Sequence, residues 1–125
     1  MCSGSLASKN LYLNTNLHTV DDIQWTDVKN FVEQTVTGTL SYCVINSICY
    51  VSAWALATTQ TGMGCYLYAD MPKARGNWGT PIIAANDNNT IVGFVYIDNF
   101  TNIIRLHSYV KNANGYGSFS YPVER

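Results

Sequence analysis

Charged side chains are scarce in this sequence, at 12% of its 125 residues, which is about half the share in an average globular domain. The stretch from Gln34 to Ala69 contains no Asp, Glu, Lys or Arg. Because the formal net charge is −1, no basic surface indicates binding to nucleic acid or to an anionic membrane. Polar residues and glycines interrupt every apolar run before it reaches the roughly 18 residues of a transmembrane helix, so we expect no membrane insertion.

Two further absences concern secretion and metal binding. The opening residues, MCSGSLASKN, contain no apolar segment of the kind that a signal peptide needs. The four cysteines, Cys2, Cys43, Cys49 and Cys65, are not spaced as the close pairs of a zinc site. Free buried thiols are the favoured interpretation, and a disulfide, between Cys43 and Cys49 or any other pair, is the alternative. We predict no metal and no cofactor.

Catalytic motifs are also missing. The sequence has no G-x-S-x-G, no H-E-x-x-H, no phosphate-binding glycine loop and no EF-hand. Its two histidines are His18 and His107, and the adjacent Asp21 and Asp22 lie in a polar segment typical of solvated carboxylates. The sequence therefore predicts a protein that is not an enzyme.

The residues that replace the missing charges favour strands. Val, Ile, Thr and Tyr are abundant, and apolar residues alternate with period two from Thr37 onward. We predict an all-β fold, an antiparallel sandwich or barrel-like head over residues 36–125, with residues 1–35 as an N-terminal linker or shoulder. Within TVDDIQWTDVKNFV we expect one helical turn with Thr26 or Asp27 as its N-cap, or else a connecting segment or a short arm.

Turn signals divide the head into short strands. Asn46-Ser47 predicts a tight hairpin, the DNFT stretch predicts a second hairpin, and NDNN at 86–89 predicts a turn. Period two predicts that Ile48, Tyr50, Ser52, Trp54 and Leu56 share one face of their strand, and that Tyr66 and Tyr68 share one face of theirs. The predicted strands are TLSYCVI (39–45), ICYVSAWAL (48–56), CYLYA (65–69), TPIIAA (80–85), TIVGFVYI (90–97), NIIRLHSYV (102–110) and SFSYPV (118–123).

The first candidate site lies on one predicted strand. Arg105, His107 and Tyr109 alternate with mostly apolar neighbours, so a guanidinium, an imidazole and a phenol would project from one face. Such a face is a polar binding stripe, a solvated outer face or a subunit contact.

The second candidate site is the GNWG stretch. Trp78 stands there between Asn77 and Gly79, in what reads as a loop, and is harder to explain as core than Trp54. An aromatic ring offers a flat apolar surface for a sugar, and Asn77, Asp70 and Arg105 offer hydrogen bonds for its hydroxyls. Aromatic side chains also anchor protein interfaces.

The order of motifs resembles a C-terminal head domain found in tail-fibre, baseplate and receptor-binding proteins of phages that infect Gram-positive bacteria. The resemblance rests on an opening hairpin, LSYCVINSICYVSAWAL (40–56), and on YADMPKA (68–74) in place of a Leu-Pro segment. It continues through the hairpin NTIVGFVYIDNFTNIIRLHSYV (89–110) and the closing GSFSYPVE (117–124).

This resemblance implies a β-sandwich head that is trimeric about a fibre axis and recognises host cell-wall or surface polysaccharide. It implies a location in the virion, at the tail tip or fibre, with other tail or baseplate proteins as partners, after synthesis in the bacterial cytoplasm. Sister subunits would then cover uncharged strand surface. The alternatives are a structural tail protein without a ligand, a monomeric lectin-like module, and a glycan hydrolase that pairs Asp70 with Asp87, Asp98 or a carboxylate of a neighbouring subunit.

Overall fold

A computed structural model describes residues 24–28, 30–33, 35–84 and 87–124 of the chain. Strands make up most of this part, and it contains no helix. The strands are β1 (Thr26–Val28), β2 (Val36–Ile45), β3 (Ile48–Thr58), β4 (Gly62–Tyr68), β5 (Trp78–Ala84), β6 (Asp87–Ile97), β7 (Ile104–Ser108) and β8 (Gly115–Pro122).

All strand pairs of this sheet are antiparallel, and their order is β1-β2-β3-β8-β5-β6-β7-β4. The last strand, β8, therefore lies between the early strand β3 and the middle strand β5. It pairs with β3 along most of its length but meets β5 only at Tyr116 and Gly115. The sheet consequently divides into two halves that share β8.

The two outer edges of the sheet approach each other, so the sheet is nearly closed into a barrel. The backbone N–H groups of Val32 and Glu33 donate to the carbonyls of Leu67 and Tyr66 on β4, at 3.1 and 3.0 Å. These two bonds use carbonyl groups on the edge of β4 that would be unpaired if the sheet were open at that edge. The predicted all-β antiparallel fold is confirmed, in its barrel-like form.

The helical turn predicted near Thr26 or Asp27 is wrong for the described residues. Thr26 pairs with Tyr42 and Val28 pairs with Leu40, so this stretch extends the sheet as β1. Val28 is buried, because its side chain packs on the core that Leu40 fills. The two predicted cap residues therefore belong to an edge strand. Residues 19–23 and 29 of the predicted segment lie outside the described residues.

The two predicted hairpins are confirmed. Asn46 and Ser47 both have positive φ, at 51° and 67°, as the two-residue turn between β2 and β3 requires. The DNFT stretch connects β6 to β7, with Phe100 at φ 60°. The predicted turn at 86–89 is shorter than expected, because Asp87 already belongs to β6; residues 85–86 lie outside the described residues.

Two β-bulges alter the predicted faces. Ala55 has φ 56° and adds a residue to β3 relative to β2 and β8. Trp54 therefore points outward while Leu56 turns into the core, and the prediction that they share a face is wrong. Likewise, the register between β4 and β7 shifts after Tyr66, which faces outward opposite Arg105 while Tyr68 packs against the core.

The core lies between the two halves of the sheet and is built from the inward residues of every strand. Cys49 is part of this core. Cys43 is also buried, but it lies opposite Tyr50 in the strand register and therefore on the outer face of the sheet. Cys43, Cys49 and Cys65 are free thiols, as the favoured interpretation predicted, and burial raises the pKa of Cys43 and of Cys49. The largest fully buried side chains are Tyr121, Leu40, Leu56, Leu67, Ile82, Ile97, Ile104 and Leu106.

Tyr121 occupies the centre of one barrel end. Its side chain is 1% exposed, and its hydroxyl donates to the Pro72 carbonyl at 2.7 Å. Burial is the main cause that raises its pKa, and the neighbouring Cys49 side chain adds to the effect. The phenol therefore stays protonated and remains a hydrogen-bond donor.

We expect Tyr121→Phe to lower the free energy of unfolding by about 1–3 kcal/mol, because it leaves the Pro72 carbonyl without this partner while changing the core volume little. Urea denaturation followed by fluorescence measures the change. The matched control is Tyr50→Phe, since Tyr50 lies on the outer face at 41% exposure and should change stability by less than about 0.5 kcal/mol. Equal effects of the two variants would contradict the role assigned to the Tyr121 hydroxyl.

Candidate binding site on the outer face of the sheet

The outer face of β5, β6, β7 and β4 carries rows of aromatic and polar side chains. Cross-strand pairing places Gly79 opposite Tyr96, Tyr96 opposite Arg105, and Arg105 opposite Tyr66. The next row places Pro81 opposite Phe94, and Phe94 opposite His107. Directly opposed side chains on one face of a sheet are in contact range, so these rows form one continuous surface.

An open groove lies between these rows. Its volume is about 340 Å³, and we refer to it as the aromatic groove. Gly79 has no side chain, which leaves space in the groove. A Cβ atom at that position would collide with Tyr96 and with the Val95 carbonyl. The lining residues are Gly79, Thr80, Pro81, Phe94, Val95, Tyr96 and His107.

Edge-to-face ring contacts hold the aromatic groove in shape. The ring of Tyr109 lies 5.7 Å from that of Phe94, at 87°, and 5.1 Å from that of His107, at 70°. This is a favourable arrangement for aromatic quadrupoles. Tyr109 is itself 49% exposed, so its ring and hydroxyl remain accessible beside the groove.

Arg105 is fixed next to the aromatic groove. Its guanidinium carbon lies 4.8 Å from the centre of the Tyr66 ring, and it forms an ion pair with Asp98 at the end of β6. A hydrogen bond to the Tyr66 side chain, with the Asp98 carboxylate as a further cause, raises the pKa of Arg105. The result is a permanent cation held in one position, with its charge partly neutralised.

The predicted face of β7 is confirmed. Ile104, Leu106 and Ser108 are buried, whereas Arg105 and His107 lie on the outer face and Tyr109 follows directly after the strand. The structure thus places the three residues of the first candidate site on one surface, where His107 lines the aromatic groove and Arg105 and Tyr109 lie beside it.

The second candidate site lies elsewhere. Trp78 is the first residue of β5 rather than part of a loop, and it pairs with Ile97, whose side chain is in the core. Its side chain therefore lies on the inner face at the rim of the barrel. The indole N–H donates to the Arg75 carbonyl at 2.8 Å, and a side chain on Gly76 would lie 2.6 Å from that nitrogen.

Asn77 is part of a polar latch with Asn99. The Asn99 backbone N–H donates to the Asn77 side-chain oxygen at 2.7 Å, and the Gly76 N–H donates to the Asn99 side-chain oxygen at 2.8 Å. Asp70 is exposed in the segment before this latch. Asn77 thus joins two loops, whereas Trp78 bonds within its own segment. The six predicted residues do not form one site.

Sequence reasoning did not single out Phe94 and Tyr96, which line the aromatic groove. A signal was present, because these two residues alternate with Val95 and Ile97 in GFVYI, as inward and outward positions do on a strand. The β6–β7 hairpin was predicted and places His107 beside Phe94. The pairing of β6 with β5, which places Pro81 on the other side of Phe94, was not predicted.

Comparison with family models, curated protein sequences and solved structures found no match to this chain. Among the described residues, no cluster of three or more His, Cys, Asp or Glu side chains is arranged to hold a metal ion. Nor does this part of the chain contain a helix that is both long and apolar enough to cross a membrane.

We expect Asn99→Ala to destabilise the loops around the latch, because it removes the acceptor of the Gly76 N–H. The loss in unfolding free energy should be about 0.5–1.5 kcal/mol, with faster amide exchange at Gly76 by hydrogen–deuterium exchange. Asn114→Ala, at an exposed loop position, is the control. Unchanged exchange at Gly76 would contradict the latch.

Proposed function

We propose that this protein is the non-catalytic head of a phage receptor-binding or tail-fibre protein, which recognises saccharide on the host cell surface. The observation that carries the proposal is the aromatic groove flanked by Arg105, His107 and Tyr109. The resemblance of residues 40–124 to phage head domains supports it, and so does the antiparallel, barrel-like fold.

The aromatic groove has the chemistry that a sugar ring requires. The rings of Phe94 and Tyr96 offer flat apolar surfaces for the C–H face of a sugar. His107 and the Tyr109 hydroxyl can exchange hydrogen bonds with sugar hydroxyls, while Arg105 provides a positive charge that suits acidic or phosphorylated saccharides. The groove is open at the surface, as a site that binds one part of a long polymer must be.

The same surroundings support binding rather than hydrolysis. Glycoside hydrolysis uses two carboxyl groups on either side of the scissile bond. Asp98, directly after β6, forms an ion pair with Arg105, so one of its two oxygens is already engaged with the guanidinium. Asp98 is not among the lining residues, and no carboxylate of the described part of the chain lines the aromatic groove.

A separate outer surface suits contact between copies of the chain. Ile91 pairs with Ile83, Ile83 pairs with Tyr116, and the Tyr116 ring lies 5.8 Å from that of Trp54. We call these four residues the apolar belt. Trp54 is 63% exposed and Ile91 46%, and exposed apolar patches of this kind mark interaction surfaces. In a trimer the belt would be covered, and weak single-site affinity would be multiplied by avidity.

We expect the purified chain to bind wall polysaccharide from Gram-positive bacteria saturably, and Phe94→Ala to weaken that binding about tenfold or more, since tenfold corresponds to about 1.4 kcal/mol. Surface plasmon resonance on immobilised polysaccharide, with whole-cell adsorption, measures the change. Phe100→Ala is the matched control, because Phe100 is a 56% exposed aromatic residue in the β6–β7 turn.

Equal binding by wild type and Phe94→Ala would remove the aromatic groove as the site. Absence of adsorption to every wall preparation would instead favour a structural tail protein. Release of reducing ends from the polysaccharide would show that the protein is an enzyme.

We expect light scattering to give a solution mass of three subunits of 13.9 kDa each, and Ile83→Lys to reduce it to one. A lysine in the apolar belt would have to bury its charge against a sister subunit, which is strongly unfavourable. Thr37→Lys is the control, because Thr37 lies exposed on β2 outside the belt. A wild-type mass of one subunit would overturn the trimer and leave a monomeric lectin-like module.

A further inference from the structure

We propose that a second groove, on the outer face of β3 and β8, binds a segment of a neutral glycan chain. This groove has a volume of about 410 Å³ and lies on the half of the sheet that does not contain the aromatic groove. We refer to it as the serine groove. It is lined by Trp25, Tyr50, Val51, Ser52, Ser118, Phe119 and Ser120.

A row of hydroxyl groups crosses the floor of the serine groove. The strand register places Ser52 between Ser41 on β2 and Ser118 on β8. In the adjacent row, Tyr50 lies opposite Ser120. Each serine hydroxyl can both donate and accept a hydrogen bond, which is the capacity needed to match the hydroxyl groups of a polyol.

A carboxylate orients one end of this row. Asp27 on β1 pairs with Ser41, and the Ser41 hydroxyl donates to its Oδ1 at 2.6 Å. Because the Ser41 hydroxyl donates its proton to Asp27, its oxygen can act only as an acceptor toward a further partner at this end of the row. The row therefore presents hydrogen-bonding groups with a defined direction.

Aromatic side chains bound the serine groove. Trp25 is 49% exposed and Tyr50 is 41% exposed. Large aromatic side chains that serve only the core are usually more deeply buried, so these two rings are accessible to a ligand. Beyond the Ser52 row, the outer face of β3 continues to Trp54, whose ring makes an edge-to-face contact with Tyr116. From the Tyr50 row to the Trp54 row is about 13 Å at about 3.3 Å per residue, which suits a chain segment better than a single small molecule.

The absence of positive charge in the serine groove favours a neutral ligand over an anionic one. None of its lining residues in the described part of the chain is positively charged, and the adjacent Asp27 adds a negative charge. Phosphorylated or carboxylated polymers would therefore be disfavoured, and a neutral glycan fits. The aromatic groove, with Arg105 and His107 beside it, has the opposite bias.

This inference does not rest on the phage assignment, since the residues of the serine groove are distinct from those of the aromatic groove. The test is titration of the full-length, ¹⁵N-labelled protein with neutral oligosaccharides, namely linear glucans, galactans and mannans, and separately with polyglycerol phosphate. Amide shifts in the NMR spectrum report the position of binding.

We expect at least one neutral oligosaccharide to shift amides around Tyr50, Ser52 and Ser118, and polyglycerol phosphate to leave them unchanged. Tyr50→Ala should weaken the affinity about tenfold or more, whereas Tyr50→Phe, which keeps the ring, should weaken it less than about threefold. Ser52→Ala should weaken it several-fold. Phe94→Ala, in the other groove, should leave this binding unchanged.

Three results would overturn the inference. The first is the absence of shifts on β3 and β8 with every neutral oligosaccharide. The second is binding that Tyr50→Ala and Ser52→Ala do not weaken. The third is a set of shifts at these residues that depends on protein concentration alone, which would show that the groove is an interface between copies.

Discussion

The buried hydrogen bond from the Tyr121 hydroxyl to the Pro72 carbonyl is the constraint on which much of the structure depends. It ties β8 to the irregular segment between β4 and β5. The backbone N–H of Glu124 donates to the Lys73 carbonyl, and Arg75 N–H donates to the Pro122 carbonyl. Because this segment leads directly into β5, the same contacts fix where Gly79 and Pro81 enter the aromatic groove.

The Asn77–Asn99 latch extends this constraint to the other side of the groove. Asn99 follows Asp98, the ion-pair partner of Arg105, so the turn that holds the latch also positions the guanidinium. Phe100 N–H donates to the Ala74 carbonyl and reinforces the contact. A latch built from backbone and amide groups needs no charge, which agrees with the scarcity of charged residues in the sequence.

The sequence predicted well what depends on neighbouring residues. The turn at Asn46-Ser47 was predictable because its residue types tolerate positive φ, and the buried and outward faces of β7 followed from simple alternation. Two faces were wrong because bulges at Ala55 and after Tyr66 change the alternation. Gly38, with φ 111°, lies against Ala55 at the first bulge, but only the strand pairing shows that this glycine accommodates an extra residue on β3.

What could not be predicted depends on topology. The edge strand β1 was read as a possible helical turn because a three-residue strand has too few residues to show period two. The serine groove requires β8 beside β3, a pairing between residues far apart in the chain, which local pattern does not encode. Trp78 was read as a ligand contact because its hydrogen bond to the Arg75 carbonyl has no signature in GNWG.

The uncharged stretch from Gln34 to Ala69 supplies β2, β3 and β4, and the two faces of these strands give different reasons for its lack of charge. The inner residues fill the core, where an unpaired charge would cost several kcal/mol. On the outer face of β3, Ser52 lies in a floor of hydroxyls and Trp54 lies in the apolar belt. A lysine at either position would place a strongly hydrated cation against a neutral glycan or a sister subunit. If both proposed surfaces are used, neither face of β3 can carry a charged side chain: the inner face fills the core, and the outer face contacts a glycan and a sister subunit. The lack of charge in this strand then follows from the contacts on its two faces.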